Sequence, residues 1–126
     1  MTFPLSRFMS TATATYGVYA LARPRHLGDA VDPRNAADYD LLARTYGARD
    51  TVVSLVGLLG RSERAVSAAM LIRVACDVSD GLLLSAKAPD QQTRQKVLGV
   101  TLGWAALNTL ALVVDRRRVG RSVRIA

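Results

Sequence analysis

The sequence predicts an all-α protein, a four-helix up-and-down transmembrane bundle that forms one domain of 126 residues. Four apolar segments close to the length that crosses a bilayer are joined by short connections, which place consecutive helices side by side. The alternation of apolar and polar residues that is typical of β-strands is not found, and no repeat of fixed period stands out. Half of the residues are hydrophobic and 21% are charged, a composition that excludes a disordered chain.

The first helix is predicted over residues 8–22, FMSTATATYGVYALA, which carry no charge and end two residues before Pro24. The residue before a proline is biased away from helix, so the helix is expected to stop there. Arg7 and the small residues at the end of this segment also fit a cleavable signal peptide, but the threonines weaken its apolar region, and a retained helix is preferred. Residues 28–40, GDAVDPRNAADYD, are polar, acidic and turn-rich, and predict a surface loop.

The second and third helices are predicted over residues 41–60 and 65–86, and each has about the length of a membrane span. A charge inside such a segment is unusual and calls for a partner, because the bilayer interior offers no water to solvate it. Each segment is apolar apart from three charged residues, which are Arg44, Arg49 and Asp50 in the second helix and Arg73, Asp77 and Asp80 in the third.

The fourth helix, residues 97–114, is the clearest membrane span, because it carries no charge between Lys96 and Asp115. Residues 115–126 contain five arginines and predict a basic C-terminal tail of the kind that flanks a membrane helix on its cytoplasmic side. The net charge of +7 also favours an anionic partner or the inner face of a membrane. We therefore expect a multi-pass protein of a bacterial inner membrane with both termini in the cytoplasm.

The charges of the third helix share one face, because Arg73, Asp77 and Asp80 lie within about 60° of one another at 100° per residue. In the second helix, Asp50 shares a face with small residues that allow a neighbouring helix to approach closely. One unpaired charge at the bilayer centre costs about 2.5–3.5 kcal/mol, so the two faces are expected to meet and to pair their charges. The candidate residues for binding a ligand or a proton are Arg49, Asp50, Arg73, Asp77 and Asp80, supported by Arg44, Ser54 and Asn108.

Three interpretations of these charges remain open. Three aspartates share two arginines, so one carboxylate is in surplus and can hold a proton or a ligand, with Asp80 the first candidate because it lies farthest along the stripe from Arg73. A purely structural clasp that fixes the register of the helices would use the same residues. In a soluble helical bundle that binds an anionic partner, the stripe would instead be a solvated face.

Other classes of function receive little support from the sequence. A single cysteine, Cys76, excludes an intrachain disulfide, and with a single histidine, His26, it does not predict a zinc site. No glycine-rich phosphate loop or nucleophile–base pair is found, so no catalytic residue, cofactor or metal is predicted and an enzyme is disfavoured. Arginines without interleaved aromatic residues do not predict nucleic-acid binding. The expected partners are the lipid bilayer and a larger membrane complex, in which the chain would be an accessory subunit, or a homo-oligomer.

The motifs YGVYALARP, LLARTYGARD and RVACDVSDG, taken in this order with a polar segment after the first, resemble those of a family of small bacterial membrane proteins with four helices. In that family, a domain of unknown function, a Gly-x-Arg-Asp motif opens the second helix, as Gly47 to Asp50 do here. The chain is more distantly similar to DoxX-like proteins. The resemblance covers roughly residues 10–115 and implies the four-helix membrane architecture and the polar cluster, without an activity.

Overall fold

The computed structural model describes residues 3–125, with side chains described as far as Arg121. The prediction of an all-α fold is confirmed, because these residues form helices and short connections and contain no β-strand. Four long helices are joined by a short α-helix, a 3₁₀-helix and two brief turns. The elements are α1 Pro4–Ala22, α2 Arg25–Val31, the 3₁₀-helix Pro33–Tyr39, α3 Asp40–Leu59, α4 Glu63–Lys87 and α5 Gln91–Ile125.

The four long helices form an antiparallel bundle in which α1 packs on α3, α3 on α4, α4 on α5, and α5 on α1. Their direction follows from the contacts: Gly17 of α1 lies beside Gly47 of α3, whereas Ser10 lies beside Gly57. The contacts of α4 with α3 and with α5 reverse in the same way along the chain. Consecutive long helices are therefore neighbours that alternate in direction.

Two glycines bring the backbones of α1 and α3 into direct contact. A Cβ atom added at Gly17 would lie 2.9 Å from the carbonyl oxygen of Gly47, and one added at Gly47 would lie 2.8 Å from that of Gly17. Both distances are too short for real side chains, so only glycine fits at this crossing. Because Gly47 lies one turn before Asp50, the close crossing also fixes the height at which α3 presents its inward carboxylate.

The expected surface loop at residues 28–40 is wrong, since the chain there is helical. It forms the end of α2 and the 3₁₀-helix, which fold back over one end of the bundle. The reason is a set of apolar side chains that the polar composition of the segment masks: Leu27 and Val31 bury one face of α2, and Tyr39 packs with them against Leu84 of α4. These two short elements close that end of the bundle.

The basic residues after position 114 do not form a separate tail, because α5 continues through them to Ile125. Arginine is a good helix former and the segment contains no proline, so nothing in it stops the helix. Ala126 lies outside the described residues. The other long helices differ from the expected bounds by at most four residues at the ends, the largest difference being the start of α1 at Pro4 rather than residue 8.

The stretch Gln91–Arg121 is the one part of the described chain that has both the length and the hydropathy to cross a membrane by itself. Helices α3 and α4 carry four and six charged residues, which lower their mean hydropathy. Yet Asp50 of α3 and Arg73, Asp77 and Asp80 of α4 are buried in the bundle, and leucines and valines lie on the outside of these helices. The bundle thus buries a cluster of charged side chains beside its apolar core and exposes many large apolar side chains.

Candidate functional site: a buried ion-pair network beside a central cavity

The inward faces of α3 and α4 carry the charged residues of the site. Arg73, Asp77 and Asp80 recur at intervals of four and three residues, the spacing that keeps side chains on one helix face. All three are buried, and so is Asp50 on the facing surface of α3, with 1% of its surface exposed. Arg49 is turned away from Asp50 along the helix and is only partly buried, with 28% of its side chain exposed. The structure thus brings together the five residues expected to form a network.

The five charged side chains form a continuous chain of ion pairs. Arg49 donates two hydrogen bonds to Asp80, from Nη1 to Oδ1 at 3.0 Å and from Nη2 to Oδ2 at 2.6 Å, and its Nη2 also donates to Asp50 Oδ1 at 2.9 Å. Arg73 then bridges Asp50 and Asp77, donating from Nη1 to the first and from Nη2 to the second. Each arginine joins two carboxylates, and Asp50 lies between the two arginines.

Asp80 was the first candidate for the surplus carboxylate. In the structure it is paired with an arginine, because Arg49 donates to both of its oxygens. Of the three aspartates, Asp77 accepts the fewest hydrogen bonds from arginine. One of its oxygens accepts from Arg73, which it shares with Asp50, and the other accepts from the neutral amide of Asn108, from Nδ2 at 3.3 Å. The surplus negative charge is therefore best placed at Asp77.

Of the three supporting residues, the structure connects only one to the network. Asn108 of α5 is fully buried and donates both to Asp77 and to the carbonyl oxygen of Trp104, the latter at 2.9 Å. Ser54 is buried one turn beyond Asp50, but its hydroxyl has no hydrogen-bond partner among the described residues. Arg44 is exposed on the outside of α3. The sequence correctly placed Ser54 on the inward face, but it could not separate Arg44 from the inward arginines.

A cavity of about 120 Å³ lies beside the network at the centre of the bundle. It is bounded by all four long helices and by Leu27 of α2. Tyr16 of α1 and Val100 of α5 line it and are also exposed, so the cavity reaches the outside of the bundle between these two helices. The lining residues are Thr13, Tyr16, Leu27, Tyr46, Asp50, Arg73, Asp77, Asp80, Leu84, Val100, Thr101 and Trp104.

Three residues that line this cavity carry a buried polar group without a hydrogen-bond partner among the described residues. The groups are the hydroxyl of Thr13, the hydroxyl of Tyr46 and the Nε–H of Arg73, and each of these residues is more than nine-tenths buried. Buried polar groups nearly always have a partner, and an orphaned one costs about 1–3 kcal/mol. Three such groups occur on residues that line this one cavity.

Sequence reasoning missed Tyr46, although it lies one helical turn before Asp50 and must therefore share its face. The guanidinium of Arg49 lies over the Tyr46 ring, with its Cζ 4.7 Å from the ring centroid. This contact holds Arg49 in position to reach Asp80 on the neighbouring helix. Thr13 was missed as well, because a threonine in an uncharged segment gives no signal until its neighbours in space are known.

A fourth buried carboxylate, which the sequence did not single out, lies at the opposite end of the bundle from α2. Asp115 of α5 is 1% exposed and accepts the backbone N–H groups of Leu5 at 3.3 Å and Ser6 at 2.6 Å. These are orphan donors in the first turn of α1, which a carboxylate satisfies both by hydrogen bonding and by its charge. Asp115 therefore joins α5 to α1 and does not line the cavity.

The single histidine and the single cysteine lie outside the ion-pair network. His26 Nδ1 lies 2.7 Å from the carbonyl oxygen of Arg23, to which it must donate, so a neutral ring accepts from the hydroxyl of Tyr16 at its Nε2, 2.9 Å away. Cys76 is a free thiol on α4. The described residues contain no group of three or more His, Cys, Asp or Glu side chains that could hold a metal ion.

Fold and site together define a helical bundle with an apolar exterior and a core of two arginines and three aspartates around a small cavity. Comparison of the chain with known protein families, curated proteins and solved structures finds no match. The arguments about function therefore start from the geometry of this site.

Proposed function

We propose that the protein is a multi-pass membrane protein of the bacterial inner membrane whose four-helix core binds a small ligand or a proton. The observation that carries this proposal is a buried charged cluster inside a helical bundle whose outer surface is rich in apolar side chains. Large apolar side chains such as Phe8, Leu41 and Leu82 are exposed on the outside, while Asp50, Arg73, Asp77 and Asp80 are buried inside. Apolar surface this extensive on a small protein is typical of contact with lipid or with another protein.

Helices α3 and α4 can cross a bilayer in this arrangement, although neither is apolar enough to be a membrane span by itself. Their core charges are paired within the bundle, so lipid meets mainly the apolar outer faces of both helices. Paired and inward-facing charges are the form in which ionisable residues occur inside membranes. The resemblance to small four-helix membrane proteins, including the DoxX-like ones, agrees with this placement.

The proposal places both termini in the cytoplasm, which the count of basic residues at the two ends favours by one residue. At the end that carries the termini, eight arginines accompany two acidic residues, whereas at the opposite end seven basic residues accompany five acidic ones. Cytoplasmic flanks of membrane helices are enriched in Lys and Arg. The arginines at the first end are Arg7, Arg61, Arg64, Arg116, Arg117, Arg118, Arg121 and Arg124.

Fractionation tests the membrane part of the proposal. The protein is expected to stay in the membrane pellet after carbonate washing, and a reporter fused after Ala126 is expected to be active only in the cytoplasm. Release by carbonate would favour the alternative, a soluble bundle that binds an anionic partner through its basic end. A periplasmic signal from the reporter would reverse the orientation without touching the membrane assignment.

A pair of variants tests lipid contact more directly. Ile72→Lys places a charge on the outer face near the middle of α4, where a lipid-facing lysine costs about 2.5–3.5 kcal/mol. Leu41→Lys introduces the same charge at the start of α3, near the bundle end, and serves as the control. In a membrane only Ile72→Lys lowers the amount of folded protein, whereas in a soluble protein both are surface changes worth about ±0.5 kcal/mol.

The ligand-binding part rests on the cavity and on its three orphaned polar groups. A structural clasp would need the ion pairs but neither of these features. Thermal unfolding of the purified full chain against a panel of small cations, anions and neutral polar molecules tests it, because a ligand of the native state raises Tm. At least one class of molecule is expected to raise Tm, and the increase should be smaller in Tyr46→Phe than in the control Tyr19→Phe, because Tyr19 does not line the cavity.

If no class of molecule raises Tm and the protein remains in the pellet, the network is a clasp and the chain is better assigned as an accessory subunit of a larger membrane complex.

A further inference from the structure

The residues that line the central cavity indicate the class of ligand that it binds. This inference rests on the ligand-binding function proposed above. The walls of the cavity include all three aspartates of the network but only one of its arginines, Arg73. Counting Arg49 as well, the network has two positive and three negative charges. A buried group of charges with net charge −1 attracts a cation and repels an anion, and the low dielectric of the interior strengthens both effects.

The rest of the cavity wall favours an organic cation over a metal ion. Tyr16, Tyr46 and Trp104 contribute aromatic rings, and Leu84 adds apolar surface. Aromatic rings attract ammonium groups, and pockets lined by several of them are known to bind quaternary ammonium ions. The described residues provide no cluster of metal ligands.

The orphaned polar groups add a second requirement. The hydroxyls of Thr13 and Tyr46 can accept hydrogen bonds from an ammonium group, but the Nε–H of Arg73 can only donate. A ligand that satisfies Arg73 therefore also carries an oxygen that accepts a hydrogen bond. The volume of about 120 Å³ is that of roughly four water molecules at about 30 Å³ each, so the ligand is small.

We propose that the cavity binds a small organic ammonium ion that also carries a hydroxyl or carbonyl oxygen, as in an amino alcohol of the size of choline or ethanolamine. The ammonium group lies near Asp77, the carboxylate with the smallest share of arginine contacts, and the oxygen accepts from Arg73. The gap between α1 and α5 at Tyr16 and Val100 is the route by which the ion enters.

Calorimetric titration of the purified full chain tests the proposal with three probes that differ in charge. Choline carries the charge and the hydroxyl, 3,3-dimethyl-1-butanol is its neutral isostere, and acetate is an anion. We expect choline or ethanolamine to bind at millimolar concentration or below, with an affinity at least about tenfold higher than that of the neutral isostere, and acetate not to bind. This comparison needs no variant, so it does not depend on whether a substituted network folds.

A variant locates the charge that is responsible. Asp77→Asn keeps the shape of the side chain and removes the surplus negative charge, and it is expected to weaken choline binding by about tenfold or more. The control is Asp40→Asn, which also removes one carboxylate but lies at the end of the bundle, outside the cavity. It should leave binding unchanged.

Each contrary result has a distinct meaning. If acetate or the neutral isostere binds as tightly as choline, the assignment of a cation is overturned while a ligand-binding function stands. If choline and ethanolamine fail to bind but another class of molecule raises Tm, the cation is again overturned and the proposed function stands. If nothing binds, both are overturned, and the membrane assignment still depends only on the carbonate experiment.

Discussion

The ion pairs in the core of the bundle and the pair between Arg25 and Asp40 at its end are built from the same chemical groups in different surroundings. At the end of the bundle, Arg25 donates from Nε and Nη2 to the two oxygens of Asp40, at 3.0 Å each. In the core, Arg49 binds Asp80 with nearly the same two-bond geometry. Yet the side chains of Arg25 and Asp40 are 56% and 23% exposed, whereas those of Arg49 and Asp80 are 28% and 12% exposed and those of Arg73 and Asp50 only 10% and 2%. The comparison shows that geometry alone does not set what a pair contributes.

Burial mainly increases the free energy that is lost when one partner of an ion pair is removed. An exposed arginine that loses its carboxylate is solvated by water, so little free energy is lost. A buried carboxylate that loses its arginine keeps its desolvation cost without compensation, and the loss is several kcal/mol. Variants in the core are therefore expected to lower the free energy of unfolding more than comparable variants at the end of the bundle.

Arg73→Leu is expected to have the largest effect, because it leaves Asp50 without one of its two arginines and Asp77 without any. We expect the free energy of unfolding to fall by about 3–5 kcal/mol, measured by chemical unfolding of the purified protein. The control is Arg25→Leu, which also removes an arginine that donates two hydrogen bonds to carboxylate oxygens, but at the exposed end of the bundle. Equal losses in the two variants would mean that the core is hydrated and that burial is not the deciding factor.

The double variant Arg73→Leu with Asp77→Leu tests whether the two residues act as partners. Removing both charges eliminates the uncompensated carboxylate, so the loss should be smaller than the sum of the two single losses. Strict additivity of the two changes would show that Arg73 and Asp77 contribute independently.

The sequence was sufficient for the all-α class and for the residues of the network. Periodicity identified the inward face of α4, since Arg73, Asp77 and Asp80 had to share it. The pairing could not be derived, because the reach of Arg49 to Asp80 depends on the height at which α3 and α4 meet. That height is set by contacts remote in sequence, including the crossing of Gly17 and Gly47.

The two short helical elements and the cap of α1 were beyond sequence reasoning for related reasons. Residues 28–40 are mostly polar, and four buried apolar side chains spread over two short helices give no clear periodicity. Asp115 was assigned to a tail because it follows an apolar run and precedes three arginines. Its partners are backbone groups at the other end of the chain, and backbone donors leave no signal in a sequence.

Asparagine–aspartate pairs extend the comparison to neutral donors. Asn108 donates to Asp77 in the core, and Asn35 donates to Asp32 at 3.0 Å on the surface. Asn108→Ala removes a hydrogen bond to a buried charge and is expected to lower the free energy of unfolding by about 1.5–3 kcal/mol. Asn35→Ala should change it by no more than about 0.5 kcal/mol. A similar loss in both would contradict the role assigned to burial.

Asp115→Asn tests a buried carboxylate whose partners are dipoles and not ions. The amide keeps one acceptor for the backbone of α1 but loses the charge that complements the positive end of the helix. We expect a loss of about 0.5–2 kcal/mol, with unfolding of α1 detected first by hydrogen exchange. An unchanged exchange rate for the amides of Leu5 and Ser6 would mean that Asp115 does not cap α1 in solution.

The smallest effect is expected at the Arg25–Asp40 pair, and its dependence on pH and salt provides the measurement. The hydrogen bonds from Arg25 lower the pKa of Asp40, and those to Asp40 raise the pKa of Arg25. Because the pKa of Asp40 is lower in the folded than in the unfolded protein, its stabilising contribution is complete above the unfolded value of about 3.9. It is lost as the pH falls through the lower, folded value.

The raised pKa of Arg25 adds no change in this range, since the side chain is charged throughout. We therefore expect the small difference in Tm between the wild-type protein and Asp40→Asn to be constant near neutral pH and to vanish in acid. Salt should reduce it as well, because exposed charges are screened over about 8 Å at physiological ionic strength. The effect of Arg73→Leu should not change with salt, since its partners are shielded from solvent. A salt-dependent loss at Arg73, or a salt-independent one at Asp40, would remove the distinction between core and end on which the comparison depends.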